Sequence, residues 1–304
     1  MRRPDVVLIA GPTASGKSLL ALEVAARMDG EIINADSMQI YAALPILTAQ
    51  PSHEDQALQP HHLYGVVPPE DSFSVAAWLA AAQKALHEVR RRNQIAIFVG
   101  GTGLYFKALE QGLAEVPPIP DGVRVPIRKR LSREGSEKLH AELAGRDPSL
   151  ARKLKPGDGH RIARALEVME ATGRSLQDFR QEAQSTALLN ALNTFKVALM
   201  PPRATLHERI NTRSEAMMSA AIIDEVRDLL DRNIDPSATI MQAIGVKPIT
   251  EHLKGVLTLD ETTARLQAAT RQYAKRQSTW FRGQHGPDWN HVETVEDALA
   301  QICG

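Results

Sequence analysis

The chain of 304 residues holds a single cysteine, Cys303, next to its end. That scarcity excludes an intrachain disulfide and any zinc site built from several cysteines, and it fits a reducing cytoplasm. No apolar run approaches the ~18 residues that a membrane-spanning helix needs. The opening segment MRRPDVVLIAGP carries two arginines, but its apolar run is too short for a signal peptide and is needed as a first strand. Net charge is absent as well. The 36 basic and 36 acidic residues sum to +0 at pH 7, so global charge points to no polyanionic partner. No internal repeat or low-complexity tract stands out. What remains is ordinary for a globular protein, 43% hydrophobic and 24% charged.

Against that background the octet Gly11-Pro12-Thr13-Ala14-Ser15-Gly16-Lys17-Ser18 stands out. It fits G-x-x-x-x-G-K-[ST], the phosphate-binding P-loop. The context agrees: a β-branched run at 6–10 precedes it, and LLALEVAARM at 19–28 reads as a helix. Glycines let backbone N–H groups turn inward around an anion, and the helix N-terminus adds partial positive charge. Lys17 is suited to hold phosphate oxygens, and the Ser18 hydroxyl to reach Mg²⁺. The loop does not choose the carrier. A diphosphate on any carrier fits, and a small-molecule kinase would use the same device.

Residues 1–115 alternate strand and helix, with strands expected at 5–10, 31–35 and 95–99 and helices at 17–28 and 74–92. That alternation predicts a parallel sheet covered by helices on both faces. The stretch AEVPPIPDG at 114–122 marks a boundary. From 123 to about 192 the pattern is helical, and TFKVALM at 194–200 then reads as a returning strand. The expected fold is therefore α/β, a P-loop NTPase-like core with a parallel sheet flanked by helices. The core is formed by 1–120 and 194–304, with an all-helical insertion at 121–193. Long helices are expected at 204–232 and 261–282.

Three further segments carry chemistry. EIINADSMQIY at 31–41 puts Asp36 just past a strand's carboxyl end, the edge where parallel sheets bind ligands. A carboxylate there serves as a Mg²⁺ ligand or a general base, with an N-cap or turn aspartate as the lesser structural alternative. Gln39 is able to read a base edge, and Tyr41 is a packing residue. IAIFVGGTGLY at 95–105 ends a buried strand in glycines and Thr102, where many nucleotide hydrolases have an acid. A tight turn needing positive φ explains the glycines but not Thr102. Basic residues gather in three places: 124–133 (Arg124, Arg128, Lys129, Arg130, Arg133, with no acid), 160–164 (HRIAR) and 265–282. On a helix Arg271, Lys275 and Arg282 fall within ~40° of one another, a stripe suited to a phosphate backbone. His61 and His62 have no second pair nearby and are read as structural, with no metal assigned.

Taken together, these segments resemble the tRNA dimethylallyltransferase (tRNA isopentenyltransferase) family, in its bacterial form. The matching pieces are GPTASGKS at 11–18, NADSMQIY at 34–41, PHHL at 60–63, VGGTGLY at 99–105, DGHRIARALEV at 158–168, MQAIG at 241–245 and YAKRQSTWFR at 273–282. The resemblance implies transfer of a dimethylallyl group from dimethylallyl diphosphate to N6 of adenosine 37 in tRNA, with Mg²⁺. Gly11, Pro12, Thr13, Ala14, Ser15, Gly16, Lys17 and Ser18 would hold the diphosphate, and Ser18 would bind the metal. Asp36 would be the general base, Thr102 would orient the amine, and Arg213 would neutralise the leaving diphosphate.

The same resemblance implies a tRNA path along Asp36, Ser37, Met38, Gln39, Thr102 and Arg124, then His160, Arg161, Ile162, Ala163 and Arg164. It continues over Gln242, Ala243, Ile244, Gly245, Val246 and Lys247 to Lys275, Arg276, Gln277, Ser278, Thr279, Trp280, Phe281 and Arg282. The insertion would grip the anticodon stem-loop. Val246 departs from the family's usual tyrosine and lacks its ring and hydroxyl. A cytoplasmic monomer without membrane contact is expected. Prenylation of free AMP or ADP, a small-molecule kinase and a non-catalytic RNA-binding module are the competing readings.

Overall fold

The computed structural model describes residues 3–184 and 187–304. In chain order the core opens with β1 (Val6–Ala10), α1 (Lys17–Met28) and β2 (Gly30–Asn34). Two short helices, α2 (Pro45–Thr48) and α3 (His53–Leu58), lead to a two-residue strand, β3 (His61–His62). Then come α4 (Val75–Arg91), β4 (Ile95–Gly100) and α5 (Gly103–Gln111). A helical stretch follows, α6 (Asp121–Glu134), α7 (Ser136–Arg146), α8 (Pro148–Ala151), α9 (Gly159–Thr172) and α10 (Leu176–Gln184). The core resumes with β5 (Thr194–Leu199), α11 (Arg203–Met217), α12 (Ala220–Asp231), α13 (Val246–Leu253) and α14 (Leu259–Gln284), and ends with β6 (Asn290–Val292) and α15 (Val295–Cys303).

The strands form one parallel sheet in the order β3-β2-β4-β1-β5-β6. Strands covered on both faces must be apolar nearly throughout, and VVLIA in β1 is wholly buried. The chain steps from β1 to β2 on one side and later reaches β5 on the other. Strand order therefore reverses at β1, and the carboxyl end of β1 is the crevice where open α/β sheets take ligands. Residues 11–18 occupy that position. Leu20, Ala21, Val24 and Ala25 of α1 seal one face of the sheet together with Ala298 and Ile302 of α15.

The chain divides into two compact units, Met1–Lys107 with Ala191–Gly304, and Ala108–Asn190. The division falls inside α5, ahead of the prolines that suggested it. Tyr105 stacks on Trp78 with centroids 3.9 Å apart, and Phe106 lies edge-on to Phe281, both within the first unit. Ala108 and Leu109 are buried at the start of the second, where Leu189 N–H donates to the Leu109 carbonyl. A helix crosses the border, so the proline-rich stretch is an early part of the insertion.

The second unit has its own core of Leu139, Leu143, Leu150, Ile162, Leu166, Val168 and Phe179. Its basic run is less bare than the sequence suggests. Arg124 pairs with Asp121, Arg128 with buried Glu167, Arg130 with Glu142, and Arg133 with Glu134. The acids come from outside 124–133, which is why the run itself shows none.

Other differences are local. The long helix expected at 204–232 is two helices, α11 and α12, separated where Ser219 turns extended. The helix at 261–282 is longer, because Thr258 and Glu261 form a reciprocal capping box at its start. Strands β3 and β6 are two and three residues long, too short for a visible alternation.

Glu31 is a buried carboxylate at the start of β2, the end of the strand away from the ligand edge. It accepts from Arg92 Nε at 2.7 Å and Nη2 at 2.8 Å, and lies 2.5 Å from His62 Nε2. Burial pushes its pKa up, but the hydrogen bonds from Arg92 and His62 outweigh that and hold it below the usual 4.5. A carboxylate depressed in this way contributes stability above its unfolded pKa and loses it as pH falls. In urea denaturation, wild type is expected to exceed Glu31→Gln most at neutral pH, with the gap closing below pH 4.5. A gap constant from pH 7 to pH 3 would overturn this account.

Candidate active site

The P-loop bends because two residues adopt left-handed backbone, Ala14 at φ 63° and Gly16 at φ 100°. Gly11 must lack a side chain, since a Cβ there would lie 2.7 Å from the Leu199 carbonyl oxygen. The loop feeds α1, whose first amides have no partners within the helix and stay available to an anion. These residues line a cavity of about 1360 Å³ together with Asp36, Ser37, Met38, Gln39, Arg209, Arg213, Gln242, Tyr273 and Arg276. The cavity is formed wholly within the first unit.

Lys17 donates to the Pro12 carbonyl at 3.3 Å. Burial lowers its pKa to about 8; the charge of Asp36 opposes that fall and the charge of Arg213 adds to it. Arg213 is also lowered, by burial first, with Asp36 acting the other way. The three groups therefore share one electrostatic site. Arg213 Nε has only the Met217 sulfur as a partner, at 3.4 Å, a weak acceptor that leaves the guanidinium ready for an anion.

Asp36 sits in a turn fixed by buried Asn34. Asn34 Oδ1 accepts from the Asp36 amide at 2.8 Å, and its Nδ2 donates to the carbonyls of Asp36 and Leu63. Asp36 Oδ1 accepts from the Met38 amide at 3.0 Å. Its Oδ2 lies toward Gly101, 3.3 Å from where a Cβ there would stand. Thr102 Oγ1 accepts from Ser37 N–H at 2.9 Å and donates to Ser37 Oγ at 3.2 Å. The hydroxyl thus pins the 36–37 turn and does not itself line the cavity.

None of Gly100, Gly101 and Gly103 has positive φ, so the turn expected from the sequence is not the reason for them. Close approach is. A Cβ would lie 2.1 Å from the Ala35 carbonyl carbon at Gly100, 2.1 Å from Gln277 Nε2 at Gly101 and 2.2 Å from Trp280 Cε3 at Gly103. The buried Gln277 amide exploits that space: its Oε1 accepts from Thr13 N–H at 2.9 Å and its Nε2 donates to the Gly101 carbonyl at 2.9 Å. A single side chain from α14 therefore clamps the P-loop to the loop after β4.

The residues expected along an RNA path fall into two groups. Gln242, Lys247, Lys275, Arg276, Thr279 and Arg282 are exposed on the first unit, and Arg124, His160 and Arg161 on the second. Arg164 is half-buried and lies 3.5 Å from Glu167. By contrast Ile162, Ala163, Ala243, Val246, Gln277, Ser278 and Phe281 are buried, as is Gly245, which adopts φ 104°. They pack the elements that carry the exposed ones. Ile244 and Trp280 are half-buried. Gln39 spends its amide on the carbonyls of Thr48 and Ala49, and Tyr41 is packed at 1% exposure. His62 is taken up by Glu31, as above. Arg209, one helical turn before Arg213, was not singled out by the sequence; its spacing from Arg213 is the signal that was available.

Mg²⁺ suits these donors. Ser18 and Asp36 offer hard oxygens at the cavity wall, and among the described residues no cluster of three or more His, Cys, Asp or Glu forms a cage. A cation held jointly by substrate phosphates and a few protein oxygens is the usual arrangement for Mg²⁺.

A P-loop at the switch point of a parallel sheet, with Asp36, Arg209 and Arg213 lining the same cavity, defines an enzyme of the P-loop class that acts on a phosphorylated substrate. The family model described as IPP transferase matches residues 39–284, and the chain belongs to that family. It is 50% identical over 95% of its length to a tRNA dimethylallyltransferase of Agrobacterium fabrum, covering 97% of that protein. A Rhizobium johnstonii protein of the same name is 49% identical, with the same coverage. The full-length tRNA isopentenylpyrophosphate transferase of Bacillus halodurans superposes with a TM-score of 0.70 at 32% identity, over 99% of this chain and 95% of that one. A eukaryotic dimethylallyltransferase captured acting on tRNA gives 0.81 at 26% identity, over 97% and 75%.

The lowered pKa of Lys17 has a measurable consequence. An anion beside Lys17 favours its charged form, so above pH 8 binding must take up a proton. Calorimetric affinity for inorganic diphosphate is expected to fall above pH 8 with a limiting slope of about tenfold per pH unit relative to Lys17→Arg, whose charge does not titrate there. Parallel profiles for the two proteins would refute it.

Proposed function

We propose that this enzyme transfers a dimethylallyl group from dimethylallyl diphosphate to N6 of adenosine 37 in tRNA and releases diphosphate. The observation that carries the reading is the convergence of the P-loop, Lys17, Arg213 and Asp36 on one cavity. An exocyclic adenine amine is a poor nucleophile because its lone pair is delocalised into the ring. Asp36 Oδ2 accepts a proton from that amine as the C–N bond forms. Thr102 serves the same step as a positioning residue, holding Ser37 and hence the turn that carries Asp36. P-loop amides, Lys17 and Arg213 stabilise the charge that grows on the diphosphate as the allylic C–O bond breaks. Mg²⁺, held through Ser18 and the phosphate oxygens, supplies further charge neutralisation when bound.

A base stacked in an RNA loop does not reach Asp36, so the adenosine is flipped out to react. The helical unit, 108–190, binds the anticodon stem-loop, with His160, Arg161, Arg164 and Arg124 as contacts. Lys247, Lys275, Arg276 and Arg282 extend the basic surface on the first unit. The enzyme works as a monomer in the cytoplasm, where tRNA and the diphosphate donor meet. Free AMP or a kinase substrate has no use for so many exposed cations.

The test mixes the protein with Mg²⁺, labelled dimethylallyl diphosphate and unmodified tRNA, with AMP and ATP as competing acceptors. Label is expected on tRNA and absent when position 37 is changed. Label on AMP, or phosphate moving from ATP, would replace the reading. Asp36→Ala is expected to lower turnover at least ~100-fold while tRNA binding persists. Affinity for tRNA is expected to drop steeply between about 50 and 200 mM salt; a flat response would remove the phosphate contacts.

A further inference from the structure

Arg209 lies on α11 one turn before Arg213, and both line the cavity. Leu206, Ile210 and Ser214 of the same helix are buried, and Ile210 and Ser214 line the cavity beside the two arginines. Arg209 Nη1 donates to the Ser15 carbonyl at 3.0 Å and stands 3.7 Å from where a Cβ on Gly16 would be. The guanidinium is therefore seated against the turn that opens α1. Among the described residues no carboxylate lies within 4.0 Å of Arg209 or Arg213. Arg209 is exposed, and the Ser15 carbonyl uses only one of its five N–H donors.

A tether to one carbonyl needs a single donor and no positive charge. The structure supplies a planar cation with four donors left over, beside a loop built to hold phosphate; Glu208, Glu293 and Glu296 line the same cavity, but none is within 4.0 Å to pair with it. We propose that Arg209 is a further catalytic residue, holding the terminal phosphate of the diphosphate while Arg213 faces the phosphate nearer the reacting carbon. This rests on the transfer reaction proposed above. In that reaction the C1–O bond breaks and its electron pair goes to the diphosphate oxygen. The N6 lone pair forms the new C–N bond, and the amine proton goes to Asp36. The leaving group thus gains one negative charge. Arg209 meets that charge at the far phosphate, with a fork matched to phosphate oxygens.

Arg209→Ala and Arg209→Lys are compared with wild type in two measurements. One is kcat/KM for the donor with saturating tRNA; the other is the affinity for inorganic diphosphate in the presence of Mg²⁺. Arg209→Ala is expected to lose about 100-fold in kcat/KM and at least tenfold in diphosphate affinity, with KM for tRNA within threefold of wild type. Millimolar guanidinium is expected to restore part of the activity of Arg209→Ala. If that variant misfolds, Arg209→Lys carries the test. It keeps a charge and a donor for Ser15 but loses the fork, so it is expected to bind diphosphate several-fold more weakly. Variants that bind diphosphate as wild type does, whatever their turnover, would reduce Arg209 to a tether and overturn the proposal. Failure of the wild type to transfer the dimethylallyl group would instead sink the underlying reaction, so the two failures are distinct.

Discussion

The side-chain amide of Gln277 is the interaction on which the site depends. Two backbone groups meet it, the part-buried Thr13 amide and the buried Gly101 carbonyl, and the buried one would be costly to leave unpaired. Satisfying both with one residue locks three segments that are far apart in sequence. The P-loop, the loop after β4 and the long helix α14 become one body. The glycines at 101 and 103 are the counterpart of this lock, because the backbone must come close enough for α14 to touch it, and Gly100 lets the same loop close on Ala35. A side chain at Gly101 or Gly103 would push α14 out, and one at Gly100 would push on the Ala35 backbone next to Asp36.

Around that frame the charges are arranged for an anion. Lys17 and Arg213 are both disfavoured in their charged forms by burial, and Asp36 compensates only in part. Such a site is unfavourable when empty and is relieved by phosphate. Asp36 is held by a different device: Asn34, itself fully buried, uses three hydrogen bonds to shape the turn so that one carboxylate oxygen has an amide partner and the other lies toward Gly101. In the proposed reaction, stability and reactivity are therefore divided between residues two apart, with Asn34 shaping the turn and Asp36 taking the proton.

Much of this was legible in the sequence because the governing physics is local. The P-loop octet, the apolar runs of β1 and β4 and the helix after Lys17 are each set by residues a few positions apart. So were the helical insertion and the return of the sheet at β5. What was not legible depends on partners distant in the chain. The glycines of 100–103 looked like a turn, because nothing nearby reveals that Ala35, Gln277 and Trp280 press on them. The basic run at 124–133 looked unpaired, because Glu142 and Glu167 come from other helices. Gln277 looked like an RNA contact and is a buried brace. The proline-rich stretch hid the true division of the chain, which lies within a continuous helix.

The placement of the helical unit between β4 and β5 also bears on how the protein is made. As the chain emerges from the ribosome, β1, β2 and β4 are complete before residue 107, yet β1 must wait for 194–199 to cover its other edge. Until then the central strand presents a row of unpaired amides and carbonyls, the feature that templates association with other chains. The intervening unit has a core of its own. Its collapse would draw residues 108 and 190 together and shorten the effective loop that β5 has to close. During biosynthesis the insertion would then act as a folded spacer that delivers the last central strand to a waiting edge.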